Sequence, residues 1–212
     1  IPRVVPDATL FLNSREVFLR RPNWRSGIGL DIIHNREQVD FGNAIKTFVP
    51  KDFHVETRNE RFTSFNEAST DEVVDLFHRM RGKAGEFYHP TWEKDVVPTR
   101  DFGDNSPVIY VAGGDLADDF AGTTTARAIY LRLIDGTETL HTVTAVREVV
   151  EGDETFSVLD LDASIVPAIT VDEVELCSWL YVWRFATDRL LVEYESDSVS
   201  EISTSFALLE DR

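Results

Sequence analysis

Residues 79 to 95 read RMRGKAGEFYHPTWEKD, and within them His89, Glu93 and Asp95 stand close together beside Trp92. Two carboxylates can hydrolyse a glycoside when they sit roughly 5 to 10 Å apart and an apolar pocket keeps one of them protonated. Glu93 and Asp95 are two positions apart, so on a strand they share a face, an arrangement that suits solvation as well as catalysis. His89 and Glu93 have an HxxxE spacing. Pro90 disfavours a helix beginning before it, so the two need not converge on a metal. The other histidines, His34, His54, His78 and His141, stand singly, with no HxH or HxxxH pair. The lone cysteine, Cys177 in ELCSWLYVW, has no activating base beside it and reads as a small packed hydrophobe. DLADDFAGTT gathers acids between glycines but lacks the D-x-D-x-D-G order and the closing Glu of a calcium loop, and reads as an exposed loop tip. There is no phosphate-cradling glycine loop, no GxSxG elbow and no cysteine pair. The sequence predicts no catalytic residue, no metal ligand and no cofactor, and the chain is not read as an enzyme.

The rings of the same stretch then need another explanation. Phe87, Tyr88, His89 and Trp92 form the candidate site as a subunit interface, because Tyr and Trp bury a large area and keep a polar tip. A second ring group follows in SWLYVW, where Trp179, Tyr181 and Trp183 alternate with Ser178, Leu180 and Val182 and so occupy one strand face. Such a face is core in a monomer and an anchor in an assembly.

The elements that position these residues follow from periodicity. KDFHVETRNERF places Phe53, Val55 and Thr57 on one face, and TARAIYLRLIDG alternates in the same way, so both are predicted strands. Asp135-Gly136 in IDGTETLHTV supplies the positive φ of a tight hairpin. FSVLDLDASIV, SWLYVWRFA and DRLLVEYES add further strands, making the chain mainly β. One helix is predicted over about 69–82: Ser69 and Glu72 match a capping box, Val73, Leu76, Phe77 and Met80 form an apolar stripe, and Gly82 or Gly85 offers a left-handed cap. RDFGDNSPVIYVAGG marks a boundary, which gives a module of residues 1–103 plus 176–212 holding an inserted β module of residues 104–175.

Charge changes at the same boundary. The chain has 212 residues and a net charge of −17, from 21 Lys and Arg against 38 Asp and Glu. Residues 1–103 are balanced at 15 basic and 16 acidic, whereas residues 104–212 hold 6 and 22, a net of −16. That half repels phosphate backbones, which excludes nucleic acid as its partner. No run reaches the roughly 18 apolar residues of a membrane helix, and IPRVVPDATLFL lacks a signal-peptide layout, so a soluble protein is expected.

Three stretches carry a resemblance to a known family. RPNWRSGIGLDIIHNREQVDFG looks like a P-x-W strand leading into a hairpin. DEVVDLFHRMRGKAGEFYHPTWEKD is a short helix ending in an R-G turn before an aromatic-Pro-x-Trp segment. VWRFATDRLLVEYESDSVSEISTSFALLED closes the chain with paired strands. In pattern and order they resemble the distal-tail or baseplate structural proteins at the tail tip of long-tailed bacteriophages, over residues 15–100 and 179–210. The resemblance implies a β-sandwich belt-like module with a small inserted β module. It also implies a ring of six subunits rather than three, which joins the tail tube to the hub or receptor-binding apparatus. The partners would be further copies of the chain, the tail tube, the hub and the tape measure, in a virion assembled in the host cytoplasm. The alternative from another class is a carbohydrate-binding β module attaching to host-surface glycans, with Tyr88 and Trp92 as stacking rings.

Overall fold

The computed structural model describes residues 10–23, 29–34, 37–40, 45–48, 54–120, 127–196 and 199–209. The chain is mainly β. In order, the elements are β1 (Leu10–Leu12), β2 (Arg15–Val17), β3 (Gly29–His34), β4 (Glu37–Asp40), β5 (Ile45–Phe48), β6 (His54–Ser64) and α1 (Glu67–Met80). Then come β7 (Phe87–Pro90), β8 (Val108–Ala112), α2 (Asp115–Phe120), β9 (Arg127–Leu133), β10 (Glu138–Glu151) and β11 (Glu154–Leu161). β12 (Val174–Phe185), β13 (Leu191–Tyr194) and β14 (Ser200–Leu208) complete the described chain. Apart from the β4–β5 pair, the strands join in one sheet.

β12 is the pivot of that sheet. Its first part pairs with β9, from Val174↔Leu133 to Leu180↔Ala128, and its end pairs with β7 on one edge and β14 on the other. From β9 the sheet continues through β10 and β11 to β8; from β14 it continues to β6 and β3. The expected module junction at 175/176 therefore falls inside a strand. Residues 91–99 run along the outer edge of β12 and reach the outer edge of β8. The Val96 amide donates to Cys177 O at 3.1 Å and the Thr99 amide to Tyr110 O at 2.9 Å. Satisfying both edges with one segment curls β12-β9-β10-β11-β8 around Ile109, Ile129, Leu159, Cys177 and Trp179, all buried.

At the other end of β12, α1 packs on β6, β7, β12 and β14. Val73 and Leu76 are fully buried against Phe62, Phe87, Phe185 and Phe206. Phe77 and Met80 of the same stripe are partly buried there, as the periodicity predicts. The helix starts two residues earlier than expected, because Asn66, not Ser69, is the cap: its side chain accepts from the Ser69 amide. Glu72 pairs instead with Arg20 at 3.0 Å. The left-handed cap is Arg81 with φ 52°, followed by Gly82 at φ 62°, while Gly85 is extended. DLADDF, expected as a loop tip, contains α2, whose Leu116 and Phe120 pack on the core. Asp135-Gly136 turns between β9 and β10 as expected, with Gly136 at φ 89°. Phe53 lies outside the described residues.

Candidate functional site

Residues 79–95 hold the candidate interface rings and the carboxylate pair weighed for catalysis, and the fold shows how they are used. A 3-10 turn, Gly82–Ala84, follows the left-handed cap and leads into β7, buried at every position. Alternation then divides the rings. Phe87 packs with Phe18, Phe185 and Phe206, whereas Tyr88 and Trp92 join Ala128, Tyr130 and Leu180 on the opposite face. Trp92 adopts φ 63° and lies edge-on to Tyr130, with ring centroids 5.4 Å apart. The exposures of Phe87, Tyr88, His89 and Trp92 are 0%, 3%, 0% and 5% within the single chain. The candidate interface residues are thus core of this chain, and a neighbouring subunit would meet the residues that cover them.

His89 is the centre of a buried polar group. Its Nδ1 is 2.8 Å from Phe18 O and its Nε2 is 3.1 Å from Glu60 Oε2. A carbonyl only accepts, so Nδ1 carries a proton, and the Nε2–Glu60 bond requires one more, held on the ring or the carboxyl. Arg58 Nε lies 2.9 Å from Glu60 Oε1, and Arg58 Nη2 donates to Thr91 O at 3.2 Å. The guanidinium is near Glu60 by distance but its N–H is not aimed at Oε1, which has no hydrogen-bond donor among the described residues. Phe18 stacks on the imidazole at 5.4 Å, and Phe206 and Trp92 meet it edge-on. Phe18, Phe206 and Trp92 shield this imidazole–carboxylate pair from solvent; the pair holds β6, β7 and the segment after β2 together.

Glu93 and Asp95 are engaged separately. Asp95 Oδ2 accepts from the Trp179 amide at 2.9 Å and from the Thr91 hydroxyl. Glu93 has an exposed side chain, and its carbonyl accepts from Ser178 Oγ at 2.6 Å. Both residues fasten the edge of β12. Cys177 is buried, and burial, with the nearby Asp95 carboxylate, pushes its thiol up to about 12, far from a neutral-pH thiolate. His78 is exposed on α1, His141 is buried on β10, and the side chains of His34 and His54 lie outside the described residues. Among the described residues no three His, Cys, Asp or Glu groups converge to hold a metal ion.

Sequence reasoning missed Arg58 and Glu60. The available signal was parity: in β6 they share a face with Phe62, so the alternation that buries Phe62 buries them too. No protein-family model matches this sequence, and no curated protein is significantly similar to it.

Proposed function

We propose that this chain is a structural component of a bacteriophage tail tip or baseplate, assembling in a ring with copies of itself and with other tail proteins, and that it is not an enzyme. The support from sequence is the resemblance of its helix-to-β7 corner and its closing strands to distal-tail proteins. The observation that carries the reading is a sheet edge. Among the described residues no strand pairs with the outer edge of β1, where Leu10 and Phe11 are 45% and 63% exposed. An open apolar edge is an aggregation hazard unless a partner covers it, which suits a subunit that works inside an assembly. The testing experiment is a reconstruction of the assembled particle: density for this chain in a ring below the tail tube is the expected result, and its absence from the tail tip overturns the reading. A parallel assay of the purified chain on cell-wall and polysaccharide substrates should give no turnover; turnover abolished by Glu93→Gln or Asp95→Asn with the fold intact would establish an enzyme.

Glycan attachment is a second reading, and one observation favours it at a place other than the one expected. Tyr88 and Trp92 are buried and present no stacking face, but Tyr194 is 74% exposed beside a cleft of about 350 Å³ lined also by Asn66, Glu67 and Asp71. Saturation-transfer NMR with host-wall oligosaccharides should then mark the Tyr194 ring, and Tyr194→Ala should abolish the signal.

A further inference from the structure

The ends of β6, β14 and β13 lie side by side beneath the first turns of α1. Ser64 pairs with Ser200 and Ser200 with Tyr194, so the three side chains form one row on one sheet face. That face is the one α1 covers, since Thr70 Oγ1 of the helix lies 2.7 Å from Ser200 Oγ. Ser64 and Ser200 are buried, whereas Tyr194 at the end of the row is exposed and borders the cleft of about 350 Å³ between the row and the helix. A helix start accounts for an acid at Glu67; it does not account for an exposed aromatic ring beside the same cleft.

The hydrogen-bonding groups of the cleft are one-sided. The Thr70 hydroxyl donates to Asn66 O at 3.3 Å, so the proton in the Thr70–Ser200 contact is that of Ser200, and both oxygens keep acceptor lone pairs. Glu67 and Asp71, exposed and four positions apart on α1, add two carboxylates on one side of the helix. Tyr194 adds the negative face of an aromatic ring. Asn66 Oδ1 already accepts from the Ser69 amide at 2.8 Å, which leaves its Nδ2 and the Tyr194 hydroxyl as the side-chain donors of the lining. None of the lining residues is basic. The cleft's volume is at the lower end of the range for small-molecule sites.

We infer that this cleft takes a sugar bearing a free amino group, its ammonium between Glu67 and Asp71 and the apolar face of its ring on Tyr194. The inference rests on the glycan reading above and names the class of sugar that reading leaves open. An ammonium has donors and no acceptor, which complements a lining of carboxylates and hydroxyl lone pairs. The face of Tyr194 attracts a cation as well. Hydroxyls of the sugar accept from Asn66 Nδ2 and donate to the Ser200 oxygen. An N-acetylated sugar lacks the charge, and a phosphorylated or carboxylated sugar meets like charge, so the cleft discriminates by attraction and by repulsion together.

The experiment is an NMR titration of the full chain at pH 6, where an aliphatic amine is protonated, with a glucosamine trisaccharide, its N-acetylated counterpart and butylamine. The amino trisaccharide is expected to bind about tenfold tighter than the N-acetylated one. That preference should shrink at about 1 M salt, where the screening length is only about 3 Å. Glu67→Gln with Asp71→Asn should bring the two affinities within about threefold of each other while the spectrum away from the cleft stays unchanged, which separates lost recognition from a lost fold. Tyr194→Ala should abolish binding of both sugars. Butylamine should bind far more weakly than the amino trisaccharide; equally tight binding overturns the sugar as the ligand. Equal affinity for the two trisaccharides overturns the inference and leaves the glycan reading intact. No shift at α1 or β13 with either trisaccharide overturns both.

Discussion

Glu60 is a carboxyl with no exposure, set between the imidazole of His89 and the guanidinium of Arg58. Removing one partner of a buried charged group costs more than the pair contributes, because the other is left uncompensated away from water. Glu60→Ala is therefore expected to lower the unfolding free energy by about 3 to 5 kcal/mol in urea titrations. A loss below about 1 kcal/mol would mean that water or a shift of Arg58 compensates. His141 gives the complementary case in pH. Burial lowers its pKa, only partly opposed by Asp162 at 4.0 Å, so the unfolded chain takes up the proton first. Its contribution is complete above the ordinary histidine value of about 6.5 and is lost as pH falls below it. The urea midpoint should drop between pH 7.5 and 5.5, and His141→Gln should reduce that drop. Asp135, Glu173 and Asp188, whose pKa values are lowered by backbone amides, act only at more acid pH, near and below about 4.

At the scale of elements, the corner from α1 to β7 depends on Gly85. Its φ is ordinary, but a Cβ there would lie 2.7 Å from Met80 Cα and 2.8 Å from Met80 O, backbone atoms that cannot step aside. Gly136 is the opposite case, with φ 89° and open space around it. Gly85→Ala is expected to cost about 2 to 3 kcal/mol by overpacking, and Gly136→Ala about 1 kcal/mol by backbone strain alone. Thermal melts that reverse this order would show that the corner can open. Periodicity made much of this level legible. Trp179, Tyr181 and Trp183 do share a face of β12, packed on the two cores, while Leu180 and Val182 take the other. The helix stripe follows from periodicity, whereas the cap at Asn66 does not. Ser69 and Glu72 have the spacing of a capping box, but Arg20, 49 and 52 positions away in sequence, takes the Ser69 carbonyl at 2.6 Å and the Glu72 carboxylate at 3.0 Å. That competition is tertiary, so no local pattern records it. The ring cluster at β7 was likewise visible as a cluster, whereas its burial in this chain depends on β6, β12 and β14 arriving beside it.

At the scale of the whole molecule, β12 decides how far the acidic module stands alone. Composition and turn residues draw its limits at 104 and 175, yet the core inside the curled sheet contains Val96 and Phe102 from before that segment and Cys177 and Trp179 from after it. Phe102 exchanges backbone hydrogen bonds with Ile169, from the Phe102 amide at 3.0 Å and from the Ile169 amide at 2.7 Å. A fragment of residues 104–175 would lose β12, and with it the pairing of β9 along Leu176 to Leu180. It would also expose the apolar faces of Ile129 and Leu131 that Trp179 and Cys177 cover. Domains of this size bury little surface to spare, so removing one strand and two core side chains leaves too little burial to offset chain entropy. The fragment 104–175 is therefore expected to show a collapsed amide dispersion in NMR spectra. A fragment of residues 91–185 carries the closing segment and all of β12, and should give dispersed, exchange-protected resonances for β9, β10 and β11. Dispersed spectra from the shorter fragment would place the module boundary where composition draws it and reduce β12 to a neighbour.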